Sequence, residues 1–251
     1  MLEVTEIFGP TIQGEGKKIG TPSVFIRFGK CNMSCSGFEV EYETPSGAKK
    51  YSCDTYYAVD TAFRESWYKY NSHEEIIAEV AKLIPNNYKP DIVITGGEPL
   101  IYWKNEAFQK LLEYYVDHDF KVTIETNASL DIDFSKNYQK EILFSMSIKL
   151  SNSKEPLFKR INENTLTKIK HNVKEYYLKF VIEKQFITDA KKEIDDILKI
   201  IPQSKVYLMP RGDTQEEINL NAQAVIDMCV EYGFHYSDRL HIRLWDNKKG
   251  V

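Results

Sequence analysis

No apolar run in the chain approaches the length needed to cross a bilayer, and its opening, Met-Leu-Glu-Val-Thr-Glu, lacks the basic-then-apolar build of a secretory signal. Those two absences point to a soluble, cytoplasmic protein without a membrane partner. Basic residues are not gathered into blocks, and 33 Lys and Arg face 37 Asp and Glu for a net charge of −4. Phosphate binding needs a positive field, so nucleic acid is excluded as the main ligand. Glycine and proline are sparse, at 12 and 9 residues, which excludes collagen-like or broadly disordered segments. Cysteine is scarce as well: Cys31, Cys35, Cys53 and Cys229. Without an export signal, they favour metal binding or burial over disulfides.

What is present is alternation. Ser23–Phe28, Asp91–Thr95, Lys121–Thr126, Ile142–Leu150, Tyr177–Glu183, Val206–Met209 and Leu240–Leu244 read as strands, and residues before Ser23 as a turn-rich opening. Helices are predicted over Ser72–Leu83, Asn105–His118, Glu163–His171, Thr188–Ile200 and from Thr214 to Gly233. Ser72 with Glu75 and Thr214 with Glu217 form capping boxes. Repeated strand–helix units imply a parallel sheet, barrel-like or doubly wound. The 251 residues, 42% hydrophobic and without a low-complexity linker, fit one domain. In such folds chemistry gathers at the carboxyl ends of the strands. Four of those ends carry polar groups or glycines: Thr95-Gly96-Gly97-Glu98, Glu125-Thr126-Asn127, Ser147-Ile148-Lys149 and Met209-Pro210-Arg211-Gly212.

Cys31 and Cys35 form a C-x3-C pair just after a strand, and Cys53 follows after a longer gap. Three thiolates can hold a [4Fe–4S] cluster and leave one iron open, since each iron takes one outside ligand. A zinc site would want a fourth ligand, which His73 could supply. Cys229 lies on a helix rich in core residues, and packing is its reading. Residues 36–52 read as a hairpin insert in a cluster loop spanning 29–56. Phe38–Glu43 alternates, Pro45-Ser46-Gly47 turns, and Lys49-Lys50-Tyr51 returns with charges able to pair with the glutamates.

The cysteine pattern resembles the C-x3-C-x2-C signature of radical S-adenosylmethionine (SAM) enzymes. Phe8-Gly9-Pro10-Thr11-Ile12-Gln13-Gly14-Glu15-Gly16, with Gly20-Thr21-Pro22 and Arg27, resembles the opening of the 7-carboxy-7-deazaguanine synthase family. The four strand-end motifs and His241-Ile242-Arg243-Leu244-Trp245 follow in the expected order. One departure is plain: the third cysteine would stand at Phe38, and Ser36–Ser52 intervene instead. Ser52 also occupies the position where members carry an aromatic residue.

The resemblance implies a single-domain partial (β/α)6 radical SAM barrel over residues 1–251, modified by the hairpin insert. It implies cluster ligation by Cys31, Cys35 and Cys53, and Mg²⁺ at Thr55. SAM is expected against Gly96, Gly97, Glu98, Glu125, Asn127, Ser147, Lys149, Met209, Pro210 and Arg211. The substrate, 6-carboxy-5,6,7,8-tetrahydropterin, is expected at Gln13, Glu15, Arg27, Thr95 and His241. Glu15 can accept from the pterin edge and Arg27 can clamp a carboxylate. The implied reaction is hydrogen abstraction by a SAM-derived radical, ring contraction and loss of ammonia, giving a precursor of the modified tRNA base queuosine. A homodimer and an outside electron donor such as flavodoxin or ferredoxin are implied too. Lys49 and Lys50 could steer an acidic donor, but Glu39, Glu41 and Glu43 oppose their field, and a solvated hairpin is the favoured reading of the insert. An activating enzyme for glycyl-radical proteins and a non-enzymatic zinc module remain as alternatives.

Overall fold

The computed structural model describes residues 1–248 and Gly250. The chain opens with β1 (Leu2–Ile12) and β2 (Pro22–Phe28). The cluster loop then carries β3 (Val40–Glu43) and β4 (Lys49–Ser52), and α1 (Tyr56–Val59) and β5 (Tyr68–Tyr70) follow. Next come α2 (His73–Ala81), β6 (Asp91–Gly96), α3 (Glu106–Asp117), β7 (Val122–Thr126) and β8 (Leu143–Met146). The second half holds α4 (Leu157–Arg160), α5 (Glu163–Asn172), β9 (Glu175–Ile182), α6 (Ile187–Ile200) and β10 (Val206–Pro210). It ends with α7 (Gln215–Tyr232), β11 (His235–Tyr236) and α8 (Leu240–Trp245).

One nine-stranded sheet runs β11-β10-β9-β8-β7-β6-β2-β1-β5. From β2 through β6, β7, β8 and β9 to β10 every neighbour is parallel, the six-strand core of a partial (β/α)6 barrel. Side chains alternate faces along each strand. Val24, Ile26 and Phe28, Ile92 and Ile94, Val122 and Ile124, and Leu178, Phe180 and Ile182 form one buried cluster with the helices. The helices answer at their own period: α3 buries Phe108, Leu111, Leu112 and Tyr115. The opposite strand face carries Arg27, Thr95, Glu125 and Lys179 toward the interior.

Three segments differ from the sequence reading. The supposed turn-rich opening is an eleven-residue strand, β1, antiparallel to both β2 and β5. Its register with β2 shifts between Phe8 and Thr11, which accommodates Gly9 and Pro10 in an irregular stretch, where a missing N–H costs no ladder bond. The stretch Leu240–Leu244, expected as a closing strand, is instead helical, as α8. Five alternating residues are too few for periodicity to separate strand from helix. Here the Leu240 N–H bonds the Gly14 carbonyl at 2.9 Å, turning the chain back across the barrel. Strand β8 also stops at Met146, leaving Ser147 and Lys149 in the loop beyond it.

The insert is a hairpin with Val40 opposite Ser52 and Glu43 opposite Lys49. Tyr42 anchors it, stacked on Tyr56 at a ring separation of 4.4 Å and donating to Asp60 at 2.7 Å. Lys49 pairs with Glu41 and Lys50 with Asp60, so both lysines of the supposed steering patch have an acidic partner. Replacing Tyr42 by Leu keeps apolar bulk but removes the stack and the hydrogen bond. It should destabilise the protein by about 1–2 kcal/mol, read as a drop in Tm of a few degrees. An unchanged Tm would show that the hairpin does not lean on Tyr42.

Candidate active site

The strand ends, the turn after β1, the cluster loop and the C-terminal segment enclose a cavity of about 640 Å³. That is the size of a small-molecule site. Of the sequence-predicted residues, Gln13, Glu15, Arg27, Thr95 and His241 all line it. So do Gly96, Gly97, Glu125, Asn127, Ser147, Lys149, Met209 and Arg211, as well as Cys31, Cys35, Cys53 and Thr55. Glu98 and Pro210 do not belong to its lining.

Glu98 turns inward because three protein donors claim its carboxylate. Thr126 Oγ1 and the Asn127 N–H each lie 2.7 Å away, and the Leu100 N–H lies at 2.9 Å. It is wholly buried, and burial raises its pKa against the pull of those donors. Its role is to brace the ends of β6 and β7. Gly97 serves the same junction: a Cβ there would run into the carbonyl of Lys30. The glycine therefore admits the cluster loop, while its other side remains open to the cavity.

On the cluster side, Cys31, Cys35 and Cys53 are free thiols. Cys31 and Cys53 pack against a small apolar group of Met33, Cys35 and Phe38, with Val181 beside it. The hairpin closes on itself: Ser52 donates to the Ser34 carbonyl at 2.6 Å, which brings Cys53 back beside Cys35. The Met33 N–H points at Cys31 Sγ from 3.4 Å, and Thr55 Oγ1 lies 3.3 Å from Cys53 Sγ. Burial pushes the Cys31 thiol up and the Cys35 thiol up to about 12, so as thiolates both call for a bound cation to compensate. Three thiols in an apolar wall, with an N–H aimed at sulfur and open space before them, fit an iron–sulfur cubane. His73, the suggested fourth zinc ligand, sits elsewhere, beside Glu74 and across a separate surface hollow from His118. Cys229 is in the core cluster.

The loop itself is pinned by Glu155. Its Oε1 accepts from the Ser34 N–H at 2.6 Å, the Cys35 N–H at 2.9 Å and Ser34 Oγ at 2.9 Å. Burial would raise its pKa, but these donors and Lys159 outweigh that and hold it at about 2.

The opposite wall is a chain of charges. Glu15 Oε2 accepts from Lys179 at 2.7 Å, and its Oε1 from Arg239 Nε at 3.0 Å. Glu125 takes Thr95 Oγ1 at 2.9 Å and Gln13 Nε2 at 3.2 Å, with Lys179 at 3.9 Å. Arg27 is set by Glu6 at 2.7 Å, which also accepts from Tyr57 at 2.8 Å. Burial alone would raise the Glu15 carboxyl, yet Lys179, Arg239 and His241 hold it well below the usual range. Burial lowers the Lys179 ammonium, but Glu15 and Glu125 more than reverse this. His241 is depressed by burial despite Glu15, which favours its uncharged form. Gly14 makes this possible, since a Cβ there would overlap the His241 ring.

Glu6, Asp54, Tyr57, Glu155, Lys179 and Arg239 were not singled out from sequence. Only Lys179 left a signal: it is the one charge in the run Tyr176–Ile182, at the parity of Tyr177 and Val181, which also face inward.

The radical SAM superfamily profile matches residues 51–218, beginning at the end of the insert and so taking in Cys53 but neither Cys31 nor Cys35. The 7-carboxy-7-deazaguanine synthase of Rickettsia prowazekii is 30% identical over 245 residues, covering 96% of this chain and 86% of that one. The chain belongs to the radical SAM superfamily and, within it, to the 7-carboxy-7-deazaguanine synthase family. The synthase of that name from Rhodopirellula baltica is 29% identical over 252 residues, covering 95% of this chain and 85% of that one. The solved structure of QueE from Escherichia coli shares the fold, with a TM-score of 0.67 at 19% identity, over 96% of this chain and 94% of that one. Membership brings a [4Fe–4S] cluster and SAM as cofactors.

Cys31→Ala, Cys35→Ala or Cys53→Ala should each take bound iron from about four per chain toward zero, while Cys229→Ala keeps it. Glu155→Ala leaves two loop N–H groups without their acceptor and should speed iron loss to a chelator. Iron analysis of anaerobically purified variants decides both points, and a full complement in Cys53→Ala would remove the hairpin-delivered cysteine from the cluster.

Proposed function

We propose that the chain converts 6-carboxy-5,6,7,8-tetrahydropterin to 7-carboxy-7-deazaguanine with release of ammonia, as a radical SAM carbon–nitrogen lyase of 7-deazapurine biosynthesis. One observation carries this: the cavity that receives Cys31, Cys35 and Cys53 on one wall presents Gln13, Glu15, Thr95 and Arg27 on another. When bound, the cluster supplies the electron that splits SAM to methionine and a 5′-deoxyadenosyl radical, which takes hydrogen from the substrate.

The protein's part is to bind, orient and exclude water. Glu15, paired with Lys179 and Arg239, and Glu125, with Lys179 at 3.9 Å, offer acceptors to the amino and ring N–H groups of a pterin. Arg27, its Nε occupied by Glu6, is placed to take the pterin carboxylate with its outer nitrogens. His241, in its uncharged form, adds a hydrogen-bonding edge without another charge. For SAM, Gly96 and Gly97 offer close backbone approach, Asn127, Ser147 and Lys149 polar contacts, and Met209 and Arg211 a border for adenine. Glu98 acts from behind this surface.

Thr55 would give a hydroxyl to Mg²⁺, with the substrate carboxylate and water completing an oxygen shell. A one-electron donor of the flavodoxin or ferredoxin kind, a homodimer and a cytoplasmic setting complete the reading. Among the described residues no helix is long and apolar enough to cross a membrane.

The test is anaerobic turnover with dithionite, SAM and the tetrahydropterin, following 7-carboxy-7-deazaguanine and ammonia. SAM cleavage that ignores the pterin would sink the assignment. Thr55→Ala should keep its iron but lose at least about tenfold in turnover at limiting Mg²⁺. Identical Mg²⁺ titrations for parent and variant would remove Thr55 from the metal.

A further inference from the structure

Arg239 lies outside every motif that the sequence offers, yet its guanidinium joins three walls of the cavity. Nε donates to Glu15, Nη2 donates to Asp54 Oδ2 at 2.5 Å, and Nη1 donates to the Gly212 carbonyl. Its side chain is 11% exposed. Glu15 belongs to the turn after β1, and Asp54 stands between Cys53 and Thr55. One planar cation is therefore shared between the turn that faces the substrate and the segment that delivers the third thiol.

The sharing is unequal. Glu15 has a second cation in direct contact, Lys179 at 2.7 Å. Among the described residues, Asp54 has its one ion pair with Arg239. A ligand that draws on Glu15 leaves that carboxylate neutralised by Lys179, whereas Asp54 must follow the guanidinium. The fork is rigid, so rotating it on one acceptor moves its hydrogens on the others. A lysine in its place would keep the charge but not that geometry.

We propose that Arg239 is a positioning residue that couples occupation of the Gln13–Glu15 turn to the placement of the Cys53–Thr55 segment. This rests on the reading of Glu15 as a pterin contact. Filling the turn with the pterin tightens the cluster side of the cavity, so that SAM meets a thiol loop already set.

The experiment is hydrogen–deuterium exchange on cluster-loaded protein with and without 6-carboxy-5,6,7,8-tetrahydropterin. SAM is omitted, and the buffer is free of Mg²⁺ so that no metal bridges the pterin to Thr55. In the parent, the pterin should slow exchange by at least about threefold both in the 12–17 turn and over residues 52–57. In Arg239→Gln and Arg239→Lys the turn should still be protected and residues 52–57 should not respond. Asp54→Asn, which leaves the guanidinium on Glu15, should behave the same way and serves if the buried arginine cannot be replaced without unfolding. Protection of 52–57 that survives in these variants, or that never arises in the parent while the turn is protected, overturns the coupling. If calorimetry finds no pterin binding to the parent, the reading of the cavity itself falls.

Discussion

The cavity depends on a two-residue alternation along six parallel strands. Each strand sends one set of side chains to the helices and the other to the interior, and the hydrocarbon set fixes the register of the polar one. Ile92 and Ile94 can only be buried against the helices if Thr95 faces inward. Leu178, Phe180 and Ile182 impose the same on Lys179. The charges of the site are thus held in place by apolar residues that never touch a ligand.

Inside that frame the charges satisfy one another before any ligand arrives. Lys179 lies between Glu15 and Glu125, Arg239 between Glu15 and Asp54, and Glu6 holds Arg27. A buried carboxylate without a cation would protonate and stop accepting hydrogen bonds. With these partners the carboxylates remain acceptors, and binding a pterin replaces protein–protein contacts instead of first ionising a wall. Such a preorganised surface keeps the cost of reorganisation low at the moment of reaction.

The strand–helix order was legible in the sequence because short-range patterns carry it, and the thiol triplet and the named part of the cavity lining because they resemble a known family's motifs. A buried strand announces itself by composition, the paired cysteines by spacing, and the Gln-Gly-Glu-Gly turn by its resemblance to a family motif. Glu98 shows the limit of a motif: the spelling is right, but the carboxylate faces Thr126 and Asn127, which sequence distance hides. Arg239 and Glu155 left no trace, because their meaning comes from partners far away in the chain. Leu240–Leu244 misled for the opposite reason. Its alternation is real, but the bond from Leu240 to Gly14 and the turn over the barrel decided its form.

The contact of His241 with Gly14 also has a bearing on the order in which the protein is made. All three cluster cysteines lie within the first 53 residues, and the glycine turn earlier still. The helix that covers that turn comes near the end of the chain, and contacts of such long range form late, because the loop they close costs entropy first. During synthesis, then, the thiols and the turn leave the ribosome well before their cover exists. The finished protein has the thiols on one wall of a cavity whose glycine turn is covered by α8; the growing chain presents thiols and turn together before that cover is there.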